Sequence, residues 1–211
     1  MDGPKVSSDG SAVCADWTVR ATLTIESSPV PEISDISWPA LLEACESSRA
    51  TKILRKTAFP LAELEQRVPR ANPGEAYGRL PIYKGPEGEV LLVRWEENQF
   101  CAPHDHGGAR AIICLLRGAF WERHYSFDGR QLTAEADREV ESPSVMSVRA
   151  NTIHDMQATG GGFGVHFYLP AVSSMRVFDT ANRRTLTVGE SCGAWIPGDA
   201  KLIERHDAWL P

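Results

Sequence analysis

The sequence has no Cys-x-x-Cys pair, no long apolar run and no excess of basic charge. Its five cysteines form an odd number with wide gaps, so neither a zinc knuckle nor a disulfide framework is indicated. No apolar stretch approaches the roughly 18 residues that a membrane span needs. Residues 1–11 also lack the basic start and the apolar core of a signal peptide. These absences predict a cytoplasmic protein without a membrane partner.

The charge balance is weakly acidic, with 22 basic residues, 28 acidic residues and a formal net charge of −6. Because the two signs are interspersed, the chain lacks the electrostatic footprint of a nucleic-acid-binding protein. We expect a small-molecule partner instead, bound by a monomer or a weak homo-oligomer. With 211 residues, of which 42% are hydrophobic, the chain is long enough to bury the core of one domain.

Composition divides this single domain into three sections. Residues 1–34 are punctuated by Gly, Ser, Asp and Pro, which predicts a flexible or weakly ordered segment, although residues 17–25 alternate enough to form an edge strand. Residues 35–70 carry apolar side chains at helical spacing and are predicted to form helices that pack on the remainder. Residues 71–211 form that remainder.

Two helices are predicted in the middle section. The first covers residues 37–54, where apolar positions recur at helical spacing after an early proline. The second covers residues 61–68 and lies between Pro60 and Pro69, because proline is tolerated at a helix start and ends a helix that it follows.

From residue 77 onward, short segments rich in Val, Ile, Leu, Phe and Tyr alternate with Gly, Pro and Asp-Gly turns. The Asp128-Gly129 pair lies between two such segments and predicts a hairpin. Many short strands with tight turns indicate an all-β sandwich or barrel. The predicted strands are 77–84, 90–95, 111–116, 119–127, 130–134, 144–148, 154–158, 164–169 and 183–188.

The stretch around His104 and His106 carries the strongest chemical signal. Two histidines at i and i+2 of an extended segment point to the same side, so one small volume can receive both imidazoles. His154 follows Asn151, which can adopt the left-handed turn before a strand, and supplies a third imidazole from another hairpin. Three neutral imidazoles can bind a metal ion and leave positions open, whereas the alternative is surface histidines without a ligand role.

The spacing of these histidines resembles the two motifs of the cupin superfamily. His104, His106, Gly118 and His154 match the cupin pattern, while Ala111 stands where that pattern has a metal-binding glutamate. The resemblance implies an all-β cupin barrel, also described as a double-stranded β-helix or jelly roll, with a short helical N-terminal section. It also implies a metal site made of three histidines and no carboxylate.

Within the cupins, a three-histidine site is similar to that of the thiol dioxygenases, above all cysteine dioxygenase. The resemblance spans about residues 77–185 and includes the order of the metal motif, an arginine and a His-x-Tyr pair. The segments that carry it are Tyr77-Gly78-Arg79, His104-Asp105-His106, Leu115-Leu116-Arg117-Gly118, His166-Phe167-Tyr168-Leu169-Pro170 and Val177-Phe178-Asp179.

This resemblance implies ferrous iron, Fe(2+), held by the three histidines, and L-cysteine and O2 as substrates that yield cysteine sulfinic acid. Arg79 is then the substrate-binding residue, since a guanidinium fork fits a carboxylate in a bidentate way, with Tyr77 beside it. His166 and Tyr168 are the implied catalytic pair. They share a strand face, and a tyrosine hydroxyl near dioxygen can donate a hydrogen bond or a proton.

At three positions the comparison with this family concerns residues that differ from its pattern. Mammalian members of the family carry a cysteine at the position of Ala111, linked covalently to the tyrosine that Tyr168 resembles, so this chain is expected to have no such crosslink. Cys114 cannot replace that cysteine, because three residues along a strand reverse the side to which a side chain points. Gly164 replaces the serine of a Ser-His-Tyr relay and is expected to leave room for a water or a larger substrate.

Two other functions remain open from the sequence. One is a dioxygenase of another small thiol acid, such as 3-mercaptopropionate, which would keep the three histidines and change the carboxylate-binding group. The other is a non-catalytic cupin that binds a small molecule without using the histidines.

Overall fold

The computed structural model describes residues 33–211, so the predicted edge strand at 17–25 and nearly all of section 1–34 lie outside the described residues. The helices are α1 (Trp38–Glu46), α2 (Ala50–Leu54) and α3 (Leu61–Arg67), with single 3-10 turns at Ile33–Asp35 and Ala200–Leu202. The strands of the described part are β1 (Gly78–Gly85), β2 (Gly88–Trp95), β3 (Arg110–Phe127), β4 (Leu132–Glu141), β5 (Ser144–Val148), β6 (Ile153–Leu169), β7 (Ser174–Asp179), β8 (Arg184–Gly189) and β9 (Ile203–Ala208).

The strands form two antiparallel sheets. The larger has the order β1-β2-β6-β3-β4, with β5 also paired to β3, and the smaller has the order β7-β8-β9. The predicted all-β architecture with a short helical N-terminal section is therefore confirmed. None of the helices within residues 33–211 is long and apolar enough to cross a membrane.

The predicted helix over 37–54 is wrong in one respect, because it is two helices separated at Ser47. The Ser47 hydroxyl donates to the Ala44 carbonyl at 2.8 Å and accepts from the Arg49 backbone N–H at 3.2 Å. A side chain that binds its own backbone in this way competes with helical hydrogen bonds. The second helix matches its prediction closely and ends one residue earlier, at Arg67.

In two places, two predicted strands form a single long strand. The segments 111–116 and 119–127 join in β3, and 154–158 and 164–169 join in β6. Both strands continue through an irregularity where Gly118 of β3 pairs with Gly162 of β6. Gly118 has a φ of +99°. A Cβ there would lie 2.3 Å from the Gly161 carbonyl oxygen, so the glycine permits a close backbone approach rather than a turn.

Other strand predictions are confirmed or extended. The segment Ser144–Val148 is β5 as predicted, and the Asp128-Gly129 turn joins β3 to β4, which continues well beyond the predicted 130–134. Two strands were not predicted, β7 and β9. All but one of the residues of β9 are exposed, so its sequence lacks the alternation that indicates a half-buried strand.

The larger sheet separates two apolar cores. Alternate residues of β2 point to opposite sides, so that Leu91 and Val93 enter the interior between the sheets, and Val90 and Leu92 face the helices. The helices complete the second core with Leu42, Leu54 and Leu64, which are almost fully buried. The predicted site residues lie around the first core, which is closed on its far side by the smaller sheet.

A candidate metal centre and its outer cavity

The histidine loop, residues 101–108, connects β2 to β3 and runs between the two sheets. His104 exchanges both backbone hydrogen bonds with His154, each 2.9 Å long, and so pairs with the start of β6. On the other side, the Asp105 backbone N–H donates to the Arg176 carbonyl of β7 at 3.0 Å. The loop is thereby held at the two strands that bring a third histidine and a supporting arginine to it.

The structure brings together the three histidines that the sequence predicted as metal ligands. Their rings are buried, with centroids 5.1 Å apart for His104 and His106, 4.7 Å for His104 and His154, and 5.1 Å for His106 and His154. One nitrogen from each ring lies within 4.8 Å of the others. The three side chains border an inner cavity of about 20 Å³, which is the size that one water or ion requires.

Hydrogen bonds behind two of the rings define which nitrogen faces the inner cavity. His104 donates from Nδ1 to the Ala102 carbonyl at 2.9 Å, and His154 donates from Nδ1 to Glu122 Oε1 at 3.1 Å. Each ring therefore keeps its Nε2 lone pair for a ligand. The His154 Nε2 lies 3.4 Å from the His106 Nε2, so the two nitrogens that remain available for a ligand lie close together.

Burial keeps two of these imidazoles, those of His104 and His106, in the neutral form that binds metals. Desolvation, followed by the neighbouring imidazoles, lowers the pKa of His104 to about 3 and lowers the pKa of His106 well below its usual value. Neutral imidazole suits iron, zinc, copper and nickel. A buried set of three imidazoles with nitrogens that lie close together fits such an ion, so the triad can bind a metal.

Some residues that line the inner cavity also carry polar atoms without a hydrogen-bonding partner in the described part of the chain. Among the described residues, Trp95 Nε1, His106 Nδ1 and His166 Nε2 are buried and make no hydrogen bond within the protein. Buried polar groups are nearly always satisfied, and an exception indicates a water, an ion or a functional role.

The predicted catalytic pair also lies at the inner cavity. The Tyr168 ring is 5.0 Å from the His106 ring, and the Tyr168 hydroxyl lies 3.1 Å from His166 Nδ1. Burial raises the pKa of Tyr168 well above its usual value and lowers the pKa of His166 to about 3. The phenol is therefore protonated and the imidazole neutral at ordinary pH.

The side chains opposite Tyr168 agree with the expected absence of a crosslink. Ala111 of β3 pairs with Tyr168 of β6 and belongs to the first core, in the interior between the two sheets. Cys114 belongs instead to the core beneath the helices, as its position three residues further along the strand predicted.

The expectation of free space at Gly164 is wrong. A Cβ at this position would lie 2.9 Å from the Cys114 carbonyl oxygen and 3.4 Å from His166 Nε2. Close pairing of β3 and β6 thus leaves little room for any side chain there. His166 Nε2, beside this glycine, has no hydrogen-bonding partner within the described residues.

Arg79 and Tyr77, the predicted substrate-binding residues, line a separate outer cavity of about 270 Å³. Tyr77 and Tyr168 line both cavities, so these two tyrosines lie between them. Arg79 donates from Nη2 to the Glu190 carbonyl at 2.8 Å, and its guanidinium lies 5.9 Å from the centroid of the Trp195 ring. The arginine is half-buried and does not line the inner cavity.

Hydrogen bonding and ring packing hold Tyr77 in place. Its hydroxyl accepts from the Ala194 backbone N–H at 3.0 Å, and its ring is 4.7 Å from Trp95 and 5.3 Å from Trp195. Tyr77 is therefore a fixed wall of both cavities.

Sequence reasoning missed two carboxylates that support the histidines, Asp105 and Glu122. Asp105 is 1% exposed and accepts from Arg176 and from the Gly107 backbone, whereas Glu122 is fully buried behind His154. Asp105 was visible within the histidine motif without an assigned role. Glu122 alternates with the exposed Trp121 and so shares the inward face of β3, which is the signal that could have identified it.

The comparisons with known proteins concern the fold. No family model matches the chain. KdgF from Halomonas sp. is 17% identical over 50% of this chain and 87% of its own, with a TM-score of 0.41. An uncharacterized conserved protein with a double-stranded β-helix domain from Klebsiella pneumoniae is 13% identical over 59% of this chain and 93% of its own, with a TM-score of 0.46.

The cupin domain of Cnp3 from Schizosaccharomyces pombe is 8% identical over 46% of this chain and 66% of its own, with a TM-score of 0.39. The names of two of these three structures refer to a cupin or to a double-stranded β-helix.

Proposed function

We propose that this protein is a non-haem iron(II) thiol dioxygenase that adds both atoms of O2 to the sulfur of L-cysteine and forms cysteine sulfinic acid. The observation that supports this most is that Tyr168 lines both the inner and the outer cavity. One cavity is bordered by three buried histidines, and the other is lined by Arg79.

The metal would be held by Nε2 of His104, His106 and His154, since Nδ1 of the first and last of these is already bound to an acceptor. When bound, ferrous iron would favour the deprotonated form of a coordinated thiol and activate dioxygen, and the electrons that reduce dioxygen would come from the sulfur, which is oxidised from thiolate to sulfinate. The small inner cavity limits the water that can reach the sulfur.

Arg79 would bind the substrate carboxylate. A guanidinium presents parallel N–H donors that match the two oxygens of a carboxylate, and Trp195 supports its plane. Tyr77 and Tyr168, between the arginine and the histidines, would orient the part of the substrate that enters the inner cavity. Their protonated hydroxyls can donate hydrogen bonds to it.

His166 would orient the Tyr168 hydroxyl. The 3.1 Å contact joins a neutral imidazole to a phenol, and burial disfavours the charged form of either group. The pair can therefore hold a proton at the phenol oxygen and present it to the reacting oxygen and sulfur atoms.

A dioxygenase of another small thiol acid, of the 3-mercaptopropionate type, is the second candidate. Both compounds carry a carboxylate that Arg79 in the outer cavity could bind, so the two candidates are separated by substrate profiling. A test of the proposal is oxygen consumption by protein reconstituted anaerobically with Fe(2+), measured with L-cysteine and with 3-mercaptopropionate, together with identification of the sulfinate product.

The expected result is stoichiometric coupling of oxygen to sulfinate, with L-cysteine as the better substrate. His154→Ala should lose activity and most of its iron, whereas the matched control His206→Ala, at an exposed position of β9, should keep both. Preference for 3-mercaptopropionate would select the second candidate. Iron-loaded protein that consumes no oxygen with either compound would contradict both and favour a non-catalytic binding protein.

A further inference from the structure

His154 is supported from behind by a buried ion pair. Glu122, fully buried on β3, accepts from His154 Nδ1 through Oε1 at 3.1 Å. Its Oε2 accepts from Arg138 of the neighbouring strand β4, with Nε at 2.6 Å and Nη2 at 2.5 Å. Cross-strand pairing places the two residues opposite each other, so the arginine is aimed at the carboxylate by the register of the hairpin.

The three imidazoles of the metal centre differ in what lies behind them. His154 donates to a carboxylate, and His104 donates to the neutral carbonyl of Ala102. His106 Nδ1 makes no hydrogen bond within the described residues. A carboxylate behind a ligating imidazole fixes its tautomer and its ring orientation and increases its basicity, and a carbonyl does so to a smaller extent.

Stability alone does not account for the ion pair. Burying a carboxylate is costly, and well-packed apolar side chains of similar size are frequently as stabilising as a buried pair. The same strand places Phe120 on the inward face two residues earlier, so an apolar side chain fits this layer. A charged group retained behind a metal-binding imidazole is consistent with a role at the metal.

We propose that Glu122, clamped by Arg138, is a positioning residue that fixes His154 in the Nδ1–H tautomer and makes it the strongest ligand of the metal centre. The proposal rests on the metal site of the proposed function and goes beyond it, because it ranks the three ligands. The cupin pattern has a metal-binding glutamate where this chain has Ala111. Glu122 thereby supplies a negative charge behind His154 instead of at the metal.

The proposed Nδ1–H tautomer would keep His154 from serving a second group of possible metal ligands nearby. Glu122, His124 and His154 also bring one donor atom each within 4.8 Å of the others, and His124 Nε2 lies 3.2 Å from Glu122 Oε1. With its Nδ1 protonated, His154 has no lone pair on that side. His124 is consequently a further hydrogen-bonding partner of the carboxylate.

Dissociation constants for Fe(2+), measured anaerobically by competition with a chelator, test the proposal. Glu122→Leu should weaken Fe(2+) binding by about 10- to 100-fold. Glu122→Gln should weaken it less, because the amide oxygen still accepts from Nδ1 while the charge is lost. Arg138 is half exposed, so it can be solvated when its partner is removed. Wild-type affinity in Glu122→Leu would overturn the proposal.

Asp179→Asn is the matched control. Asp179 is also a buried carboxylate, 4% exposed, and it is bound by Arg184 and Asn182 without contact to a histidine. This change should lower stability and leave Fe(2+) affinity unchanged. An equal loss of affinity in Asp179→Asn would mean that any destabilisation loosens the site, and would overturn the specific role of Glu122.

The His154 tautomer gives a readout that needs neither metal nor substrate. In 15N NMR of the metal-free protein, His154 should be protonated at Nδ1 in the wild type and should populate both tautomers in Glu122→Leu. Protonation at Nε2 in the wild type would overturn the proposal. Should Glu122→Leu not fold, Glu122→Gln decides, since Fe(2+) affinity equal to the wild type would contradict a role for the charge. Absence of thiol oxidation in the wild type would refute the proposed reaction and not this inference.

Discussion

Arg176 binds the carboxylate of Asp105 with two nitrogens, Nε and Nη2, each 2.6 Å from Oδ2. The same carboxylate accepts from the Arg176 backbone N–H at 3.0 Å, so the histidine loop is attached to β7 by main chain and side chain together. Asp105 lies between two of the predicted metal ligands. The distance between the two sheets is consequently coupled to the position of His104 and His106.

Arg176→Gln should destabilise the protein and loosen the metal site. The change leaves a buried carboxylate without its charge partner, which typically costs about 1–3 kcal/mol, and solvent access to the arginine, which is 41% exposed, favours the lower part of that range. Urea unfolding of the metal-free protein measures the loss. Arg205→Gln, at an exposed ion pair with Asp207, is the control and should change the free energy of unfolding by less than about 0.5 kcal/mol.

Arg79→Ala should raise the Michaelis constant for L-cysteine. Removal of a charge-assisted contact to a buried carboxylate costs about 2–5 kcal/mol, and the partial exposure of Arg79 favours about 2 kcal/mol, or roughly 30-fold. Arg79→Lys should restore only part of the affinity, because an ammonium cannot reproduce the planar fork. Steady-state oxygen consumption gives the constants. An unchanged constant, equal to that of the exposed control Arg70→Ala, would remove Arg79 from the substrate site.

Tyr168→Phe should lower turnover by roughly 10- to 1000-fold with unchanged iron content, as expected for the loss of one positioned donor. The wild-type chain should also show the intact mass expected without loss of two hydrogens, because Ala111 lies opposite the phenol. Tyr125→Phe is the control, since Tyr125 donates to Asp155 and does not line the inner cavity. Near-normal coupling of oxygen to sulfinate in Tyr168→Phe would reduce that residue to a packing role.

The metal-free protein should lose stability as the pH falls from about 6.5 toward 3. Burial lowers the pKa of His166 to about 3, so between these limits the unfolded chain binds a proton that the folded protein does not. The free energy of unfolding therefore decreases with falling pH, by up to about 1.4 kcal/mol per pH unit for each such histidine. Urea unfolding of His166→Gln between pH 7 and pH 4 should show a shallower slope than the wild type.

The exposed His206 provides the comparison for this slope. His206→Gln should leave the pH dependence unchanged, because its side chain is exposed on β9. A His166→Gln protein with the wild-type slope would show that His166 gains its proton equally in the folded and unfolded states, and the buried neutral imidazole would be contradicted.

Local pattern alone was sufficient for the elements whose side chains alternate and for the residues that share one strand. The period of two in β6 predicted that His166 and Tyr168 lie on one side, and the i, i+2 spacing predicted that His104 and His106 converge. Asn151 adopts the predicted left-handed turn, with a φ of +62°. These predictions succeeded because side-chain direction in a strand depends on residues within a few positions of one another.

Tertiary structure decided the relationships that depend on pairing between distant strands. Glu122 is a metal-supporting residue only because β3 pairs with β4 and β6 in a register that brings it between Arg138 and His154. Gly164 lacks free space because of the Cys114 carbonyl on the neighbouring strand. Arg79 lies in the outer cavity because Glu190, more than a hundred residues away, accepts its hydrogen bond. Strand register and long-range hydrogen bonds form only when the whole sheet assembles, so no local pattern in the sequence contains them.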